Sequence, residues 1–174
     1  NLWFSVSGYR HDVEGLIQAE LEPIVDDPLY HMLGVYRNVS KAMLQGADVS
    51  ARWSPIKEVS FDVGYSYLES EDKETGQELE GRATHKANSS VSVNSKDWTF
   101  SMRGSWVGKR PFTTEGSGYS TEEADSYLLA DTRISYRLNS QTLFCGVNNL
   151  LNEGDNDYLP IRPRAIFAGI DMSF

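Results

Sequence analysis

Apolar and polar residues alternate one by one along much of the chain, and the alternation is cleanest in the last eleven residues, 164–174. There Ile166, Ala168, Ile170, Met172 and Phe174 fall on one side of an extended backbone, and Ala165, Phe167, Gly169, Asp171 and Ser173 on the other. One side is oily and the other mostly small or polar. That is the pattern of a strand with lipid or a core on one side and water or a polar lumen on the other. A chain stopping on an aromatic residue of its oily side, with no polar tail, is expected of a closing strand in a membrane barrel.

The same period recurs upstream. Leu2, Phe4, Val6 and Gly8 open a long strand predicted to run to about Leu21, in which Gly15 marks a bulge or bend. Pro23 and Pro28 flank Asp26 and Asp27 in a loop. The chain resumes near Val35 and continues to Trp53, with Ala47, Val49, Ala51 and Trp53 on one side. After a turn at Ser54-Pro55-Ile56-Lys57, Val59, Phe61, Val63, Tyr65 and Tyr67 make the clearest strand. A loop from Glu69 to Arg82 leads to a weaker strand with Ala87, Ser89, Val91 and Val93 on one side. Beyond the turn Asn94-Ser95-Lys96-Asp97, Trp98, Phe100, Met102, Gly104 and Trp106 alternate until Pro111 ends that strand, and a long loop reaches Ser126. Tyr127 to Leu138 and Gln141 to Leu151 are the next two strands, joined at Asn139-Ser140, and a loop over Asn152 to Arg162 precedes the last.

This gives about eight strands whose connections alternate short and long, as in transmembrane barrels with short turns at one rim and longer loops at the other. Short turns fall near Ser54, Asn94 and Asn139; long connections fall near Asp26, Glu74, Gly118 and Asp155. Trp53, Tyr65, Tyr67, Trp98, Trp106 and Tyr136 stand near strand ends, where an amphipathic ring suits a membrane interface. The expected fold is therefore all-β, an antiparallel transmembrane β-barrel. Phe61, Val63, Phe100, Met102, Ile166, Ile170 and Met172 are assigned to its lipid face, and the terminal Phe174 resembles the assembly signal of bacterial outer-membrane proteins. Asp48, Asp62, Asp131 and Asp171 with Arg52, Arg103, Arg133 and Arg137 are assigned to the opposite, lumenal face. Isolated charges in a dry core are costly, so these eight should line a wet lumen or meet partners.

Composition is compatible with this. Hydrophobic residues are 40% and charged residues 24%, and no run approaches the ~18 apolar residues of a membrane helix. Barrel strands need only about ten residues of alternation and average out as polar. Charge is informative once mapped: the total is −9, but seventeen of the 25 acidic residues lie in four stretches that contain one base, Lys73. Those are 20–27, 69–80, 115–125 and 153–157, which carry −16 and leave +7 for the rest of the chain. Nucleic acid, which wants a basic face, is disfavoured. The acidic end is read as solvated loops, or as a place for divalent cations or a cationic ligand.

Catalytic chemistry is unsupported. His11, His31 and His85 are scattered, no nucleophile elbow or phosphate loop occurs, and Asp155-Asn156-Asp157 lacks the Gly and Glu of a calcium loop. His31 is a minor candidate for ligand contact and His85 for ordering a loop-to-strand junction. Cys145 is the single cysteine, so no intrachain disulfide forms; it is read as a packed thiol, and no cofactor or metal is expected. No signal peptide precedes Asn1-Leu2-Trp3-Phe4, and truncation of a longer chain is the preferred explanation.

Taken together, Tyr36-Arg37-Asn38-Val39-Ser40-Lys41-Ala42 with Gly46-Ala47-Asp48-Val49, Tyr65-Ser66-Tyr67, Gly81 to His85, Tyr127 with Asp131, Gly146 to Asn152, Arg164 and Phe174 resemble, in order, the barrel strands of TonB-dependent outer-membrane receptors. Ala83 stands where that family often has Pro, and Leu151-Asn152 where it often has Phe-Asp. The resemblance implies that 1–174 is the carboxyl-terminal part of a barrel of ~22 strands around a plugged lumen, with the plug and earlier strands upstream. It further implies a bacterial outer-membrane location, contact with outer-membrane lipid and lipopolysaccharide, and coupling to TonB through the missing amino-terminal region. The implied activity is uptake of an iron-siderophore, haem or cobalamin-like ligand. Two other readings stay open: a complete eight-stranded outer-membrane barrel, and a soluble β-barrel binding domain whose oily face is covered by a second layer.

Overall fold

The computed structural model describes residues 1–23, 32–115, 119–154 and 161–172, which hold ten β-strands. In chain order these are β1 (Leu2–Pro23), β2 (Met32–Ile56), β3 (Val59–Asp72), β4 (His85–Ser95), β5 (Trp98–Val107), β6 (Arg110–Glu115), β7 (Tyr119–Ala124), β8 (Tyr127–Leu138), β9 (Gln141–Asn148) and β10 (Ala165–Met172). Eight form one antiparallel sheet in the order β1-β2-β3-β4-β5-β8-β9-β10, an up-and-down meander. The other two, β6 and β7, pair only with each other as a separate hairpin.

Register follows the alternation. Across neighbouring strands Trp53 faces Phe61, Phe61 faces Val91, Val91 faces Met102, Met102 faces Thr132, Thr132 faces Val147 and Val147 faces Ile166. A slip of one residue anywhere would throw an oily row to the charged side, so the sidedness of every strand selects this register. The two-residue turns Lys57-Glu58, Lys96-Asp97 and Asn139-Ser140 all lie at one end of the sheet. The long connections lie at the other.

Little is buried, because a single layer has nothing on either side. On the oily face Phe4 is 71% exposed and Ile166 81%, and no second layer of described residues covers them. The few buried apolar side chains, Ala42, Met43, Leu79, Ala83 and Ala124, gather at the end carrying the long connections, and Ala130 joins them from β8.

The structure corrects two readings of the sequence, that of Pro111 and that of Cys145, which is exposed and not packed, and it narrows a third. Pro111 does not end the ordered part of that segment but lies within β6, opposite Glu123. Each strand of a two-stranded ribbon has an unpaired edge where a missing N–H is tolerated. Gly15 is a bend and not a bulge: the pairs Glu14–Lys41 and Leu16–Val39 flank it with no residue added to either strand. Its φ of +68° lies in the left-handed region that glycine enters freely. The bend falls just past Val13–Ala42, where β3 stops at its pair Ala42–Asp72, so the β1–β2 hairpin turns as it leaves the sheet, and β1 approaches β6. Phe174 and His31 lie outside the described residues.

Candidate functional site: the charged face and the loop end

The eight charges picked out from sequence share one face. Arg52, Asp62, Ser90, Arg103 and Asp131 are successive register partners across β2, β3, β4, β5 and β8, forming one row. Asp48, on the same face of β2, lies four residues along from Arg52 and pairs in register with Ser66. Ser101 faces Arg133 on the next row, and Arg137 faces Thr142, which faces Asp171.

Contacts within this set are selective. Arg52 donates from Nε to Asp62, which also accepts from the Ser90 hydroxyl at 3.4 Å. Arg133 reaches past β9 to Asp171 on β10 at 3.4 Å, its guanidinium 4.1 Å from the centre of the Phe144 ring. Arg103 and Asp131 are opposite each other, yet the Asp131 carboxylate accepts the backbone N–H of Asn149 at 2.8 Å. Among the described residues Arg103 is left with no hydrogen bond or ion pair. Ser90, Ser101, Arg103, Asp131, Arg133 and Phe167 border a concavity of about 400 Å³ on this face. It is hollow because serines separate the long arginines.

Aromatic rings on the charged face lie across glycines of the paired strand. Tyr9 covers Gly46, Phe144 covers Gly169 and Phe167 covers Gly146, each ring and glycine being register partners. Glycine leaves the room and the flat ring shields the bare backbone, so the wall stays low where a bulkier pair would project.

The end carrying the long connections has its own small core. Gly81 N–H donates to the Pro111 carbonyl at 2.9 Å, joining the 73–84 connection to the β6–β7 hairpin. Arg110 is 2% exposed, its guanidinium 5.2 Å from the Tyr127 ring centre and 5.9 Å from that of Phe112. Sequence inspection passed over Arg110 and the hairpin, although the β-forming Phe112, Thr113, Thr114, Tyr119 and Thr121 around Gly116-Ser117-Gly118 carry a hairpin signal.

On the oily side of this end, charged and polar side chains meet as pairs. Arg10 makes two 3.2 Å bonds to Asp12, Gln45 bonds Glu69 at 2.8 Å and Lys73 bonds Glu71 at 2.7 Å. The bond from Arg10, helped by the charges of Arg10 and Lys73, holds the Asp12 carboxyl below the usual carboxylate range; the same bond raises Arg10. Lys109 is likewise raised by its 3.0 Å bond to Glu123. Just inside, His85 starts β4 with Nδ1 2.7 Å from the Tyr65 hydroxyl and Tyr67 tilted against its ring. Among the described residues no three His, Cys, Asp or Glu side chains converge as metal ligands.

The Gly146-to-Asn152 segment supplies a clamp. Asn149, at φ +50°, donates from Nδ2 to the carbonyls of Glu153 at 2.6 Å and Arg162 at 3.0 Å, and its Oδ1 accepts the Glu153 N–H at 3.0 Å. Asn152 Oδ1 accepts the Arg164 N–H at 2.9 Å. Both ends of the last long connection are thus tied by asparagine side chains.

Comparison with known proteins agrees with this geometry. The family profile described as TonB dependent receptor-like, beta-barrel, matches residues 1–150. Among solved structures, a mutant ferric enterobactin receptor PfeA from Pseudomonas aeruginosa in complex with enterobactin aligns at 19% identity and TM-score 0.75, over 99% of this chain and 29% of that one. The siderophore receptor PirA from Acinetobacter baumannii aligns at 18% identity and TM-score 0.75, over 99% and 30%. The copper transporter OprC aligns at 16% identity and TM-score 0.73, over 99% and 29%. The chain therefore spans less than a third of the length of these structures.

Proposed function

Because this chain belongs to the TonB-dependent receptor family, within its β-barrel, we propose that it forms wall and outer loops of an outer-membrane receptor that imports a metal chelate. The family is one of transporters and not of enzymes. In this reading residues 1–174 are the carboxyl-terminal segment of a barrel of ~22 strands, with a plug and the TonB-contacting region elsewhere in the polypeptide. The oily face meets lipid and lipopolysaccharide, with Phe61, Val63, Phe100, Met102, Ile166, Ile170 and Met172 outward. The face bearing Asp48, Arg52, Asp62, Arg103, Asp131, Arg133, Arg137 and Asp171 encloses the lumen.

The observation carrying this is one eight-stranded layer whose oily side is covered by none of the described residues while its other side holds every charge of the row. A soluble domain would not leave that side bare, since burial of apolar surface is the main drive for folding in water. Aromatics bound the oily side at both ends: Trp53 stacks on Phe61 and Trp98 lies 4.7 Å from Tyr136 near the turns, while Tyr65, Tyr67 and Trp106 stand near the loops. From Trp98 to Trp106 is roughly 26 Å of strand, or ~20 Å along a barrel axis at the usual tilt, close to the height of a transmembrane apolar band.

The cargo proposed first is an iron-siderophore complex, with haem or a cobalamin-like ligand behind it, because two of the receptors above are named for siderophores. The test is growth of a strain lacking the full-length receptor, fed single ferric siderophores or haem as the iron source in iron-depleted medium, or cobalamin in a medium where growth requires it. Loss of growth on one chelate, restored by the gene, supports the reading. Unimpaired growth on all of them, or a receptor found outside the outer-membrane fraction, refutes it.

A further inference from the structure

We propose that the oily side of the wall carries a seat for one glycolipid of the outer leaflet, at the step where apolar residues of β1, β2 and β3 give way to polar ones, and that the seat holds the lipid by its sugar headgroup. The inference rests on the reading that this face meets lipid. Two successive register rows make the step. The lower row is Gly8, Ala47, Tyr67 and His85, and the upper row is Arg10, Gln45 and Glu69. Among the described residues a Cβ at Gly8 would meet only the Gly46 carbonyl, at 3.7 Å, so the floor beside the two rings is open. Val6 and Val49, one row nearer the middle of the oily side, continue that floor as an exposed apolar track fit for acyl chains. Height points to a headgroup: Tyr65 and Trp106 are in line across Ala87, and the step lies one row beyond them toward the loops.

What rests on the step must match its chemistry. The rings of Tyr67 and His85, tilted against each other with centroids 5.6 Å apart, offer flat faces to the C–H side of a sugar. The polar groups around them both donate and accept. Gln45 donates to Glu69 at 2.8 Å and keeps its carbonyl, and the second ring nitrogen of His85 has no partner among the described residues. Sugar hydroxyls, each a donor and an acceptor, suit such a mixture. Phosphate suits it poorly. Arg10 is matched by Asp12 and Lys73 by Glu71, while Glu69 has only the neutral amide, so two bases stand against three acids and a phosphate is repelled. The polar side is firmly packed and not a loose fringe: Met43, register partner of both Asp12 and Glu71, is 4% exposed.

The experiment uses the full-length receptor in discs of phospholipid holding a few lipopolysaccharide molecules per receptor, with a benzophenone-bearing residue replacing Ala47, Leu128 or Met102 in separate versions. Leu128, the register partner of Trp106, reports ordinary boundary lipid. Expected are lipopolysaccharide adducts several-fold more frequent from position 47 than from 128, retained when the phosphates have been removed, and cut several-fold by Tyr67→Ala or Gln45→Ala. Gly8→Leu, which fills the floor without touching the rings, should cut them as much and guards against a folding defect in the Tyr67 variant. Equal yields from 47 and 128, or an excess that all three substitutions leave intact, would overturn the seat. An excess lost with the phosphates would assign it to charge and overturn the sugar contact. Phospholipid adducts alone from 47, with 102 also reaching lipid, would sink the seat and leave the lipid-facing reading standing. Adducts from both 47 and 102 to receptor segments outside residues 1–174 would sink that reading itself.

Discussion

Asn149 and Asp131 are joined by a single 2.8 Å bond from the backbone N–H of one to the carboxylate of the other, and that bond decides two things at once. It fastens the end of β9 to β8, next to the 2.6 Å bond from Leu150 N–H to the Ala130 carbonyl. It also withdraws the Asp131 carboxylate from Arg103, its partner in register. Asn149 is 5% exposed, so its N–H has no ready substitute for that carboxylate.

Asp131→Ala should therefore leave a buried donor unmet, at about 1–3 kcal/mol. Asp131→Asn keeps an acceptor oxygen and should recover most of the loss. Asn149→Gly keeps the N–H and suits the positive φ but removes the bonds to Glu153 and Arg162, so it should free the ends of the last connection while sparing the tie to β8. Hydrogen exchange at 149–153 and 161–164, followed in the whole receptor, separates these effects. Equal protection in all variants would show the clamp to be idle.

Two glycines under aromatic rings should differ in tolerance. A methyl at Gly146 meets the Thr132 backbone carbonyl as well as the Phe167 ring, and the backbone cannot step aside. The nearest atoms to a methyl at Gly169 all belong to the Phe144 ring, with Cζ at 2.5 Å, and that ring can turn, though it then leaves Arg133. Gly146→Ala is expected to cost at least the ~1–3 kcal/mol of an overpacked site and Gly169→Ala less. Phe144→Ala should relieve the second and not the first. Urea unfolding in lipid vesicles reads the order, and a reversed order contradicts the placement of these rings.

Sidedness can be checked with adjacent residues. Met102→Arg should cost on the order of 2–4 kcal/mol if that side chain faces the middle of the bilayer, and Phe61→Arg a similar amount. Ser101→Arg, one residue away on the charged face, should cost far less. Folding of the receptor into vesicles measures all three, and equal penalties would mean that the two faces do not meet different media.

Acid should loosen the base of the β1–β2 hairpin, but only at low pH. Asp12 has its carboxyl lowered by the Arg10 bond, so the pair contributes above the ordinary carboxylate value of ~3.9 and is lost as pH falls through the lowered one. Exchange at Val13 and Lys41 should be unchanged between pH 7 and about pH 5 relative to an Asp12→Ala control, converging with it only at the acid end. Convergence near neutrality would require some other titrating group.

Much of the sheet was legible in residue types alone. Phe61, Val63, Phe100, Met102, Ile166, Ile170 and Met172 could be put on one side, and the charges on the other, since each residue step reverses side-chain direction. The β6–β7 hairpin was hidden because Pro111 and Gly116-Ser117-Gly118 dominate its composition. Asn149 was visible only as part of a family-like string; a short polar residue before Leu150-Leu151 gives no hint that it will bind three backbone groups. The burial of Leu79 and Ala83 was not legible because residues of the irregular 73–84 connection have no period to betray it, and that of Arg110 because it stands at the very start of the short β6.

What the chain alone determined is therefore the two-faced strand and, through it, the layer: alternation is a local property that every extended segment carries with it. Which charge meets which is not local. Arg52 finds Asp62 next door, Arg133 passes β9 to reach Asp171, and Arg103 loses Asp131 to a backbone amide from a turn eighteen positions on. Those outcomes depend on how register, ring placement and the end of β9 bring distant segments together, and only the folded sheet decides the competition.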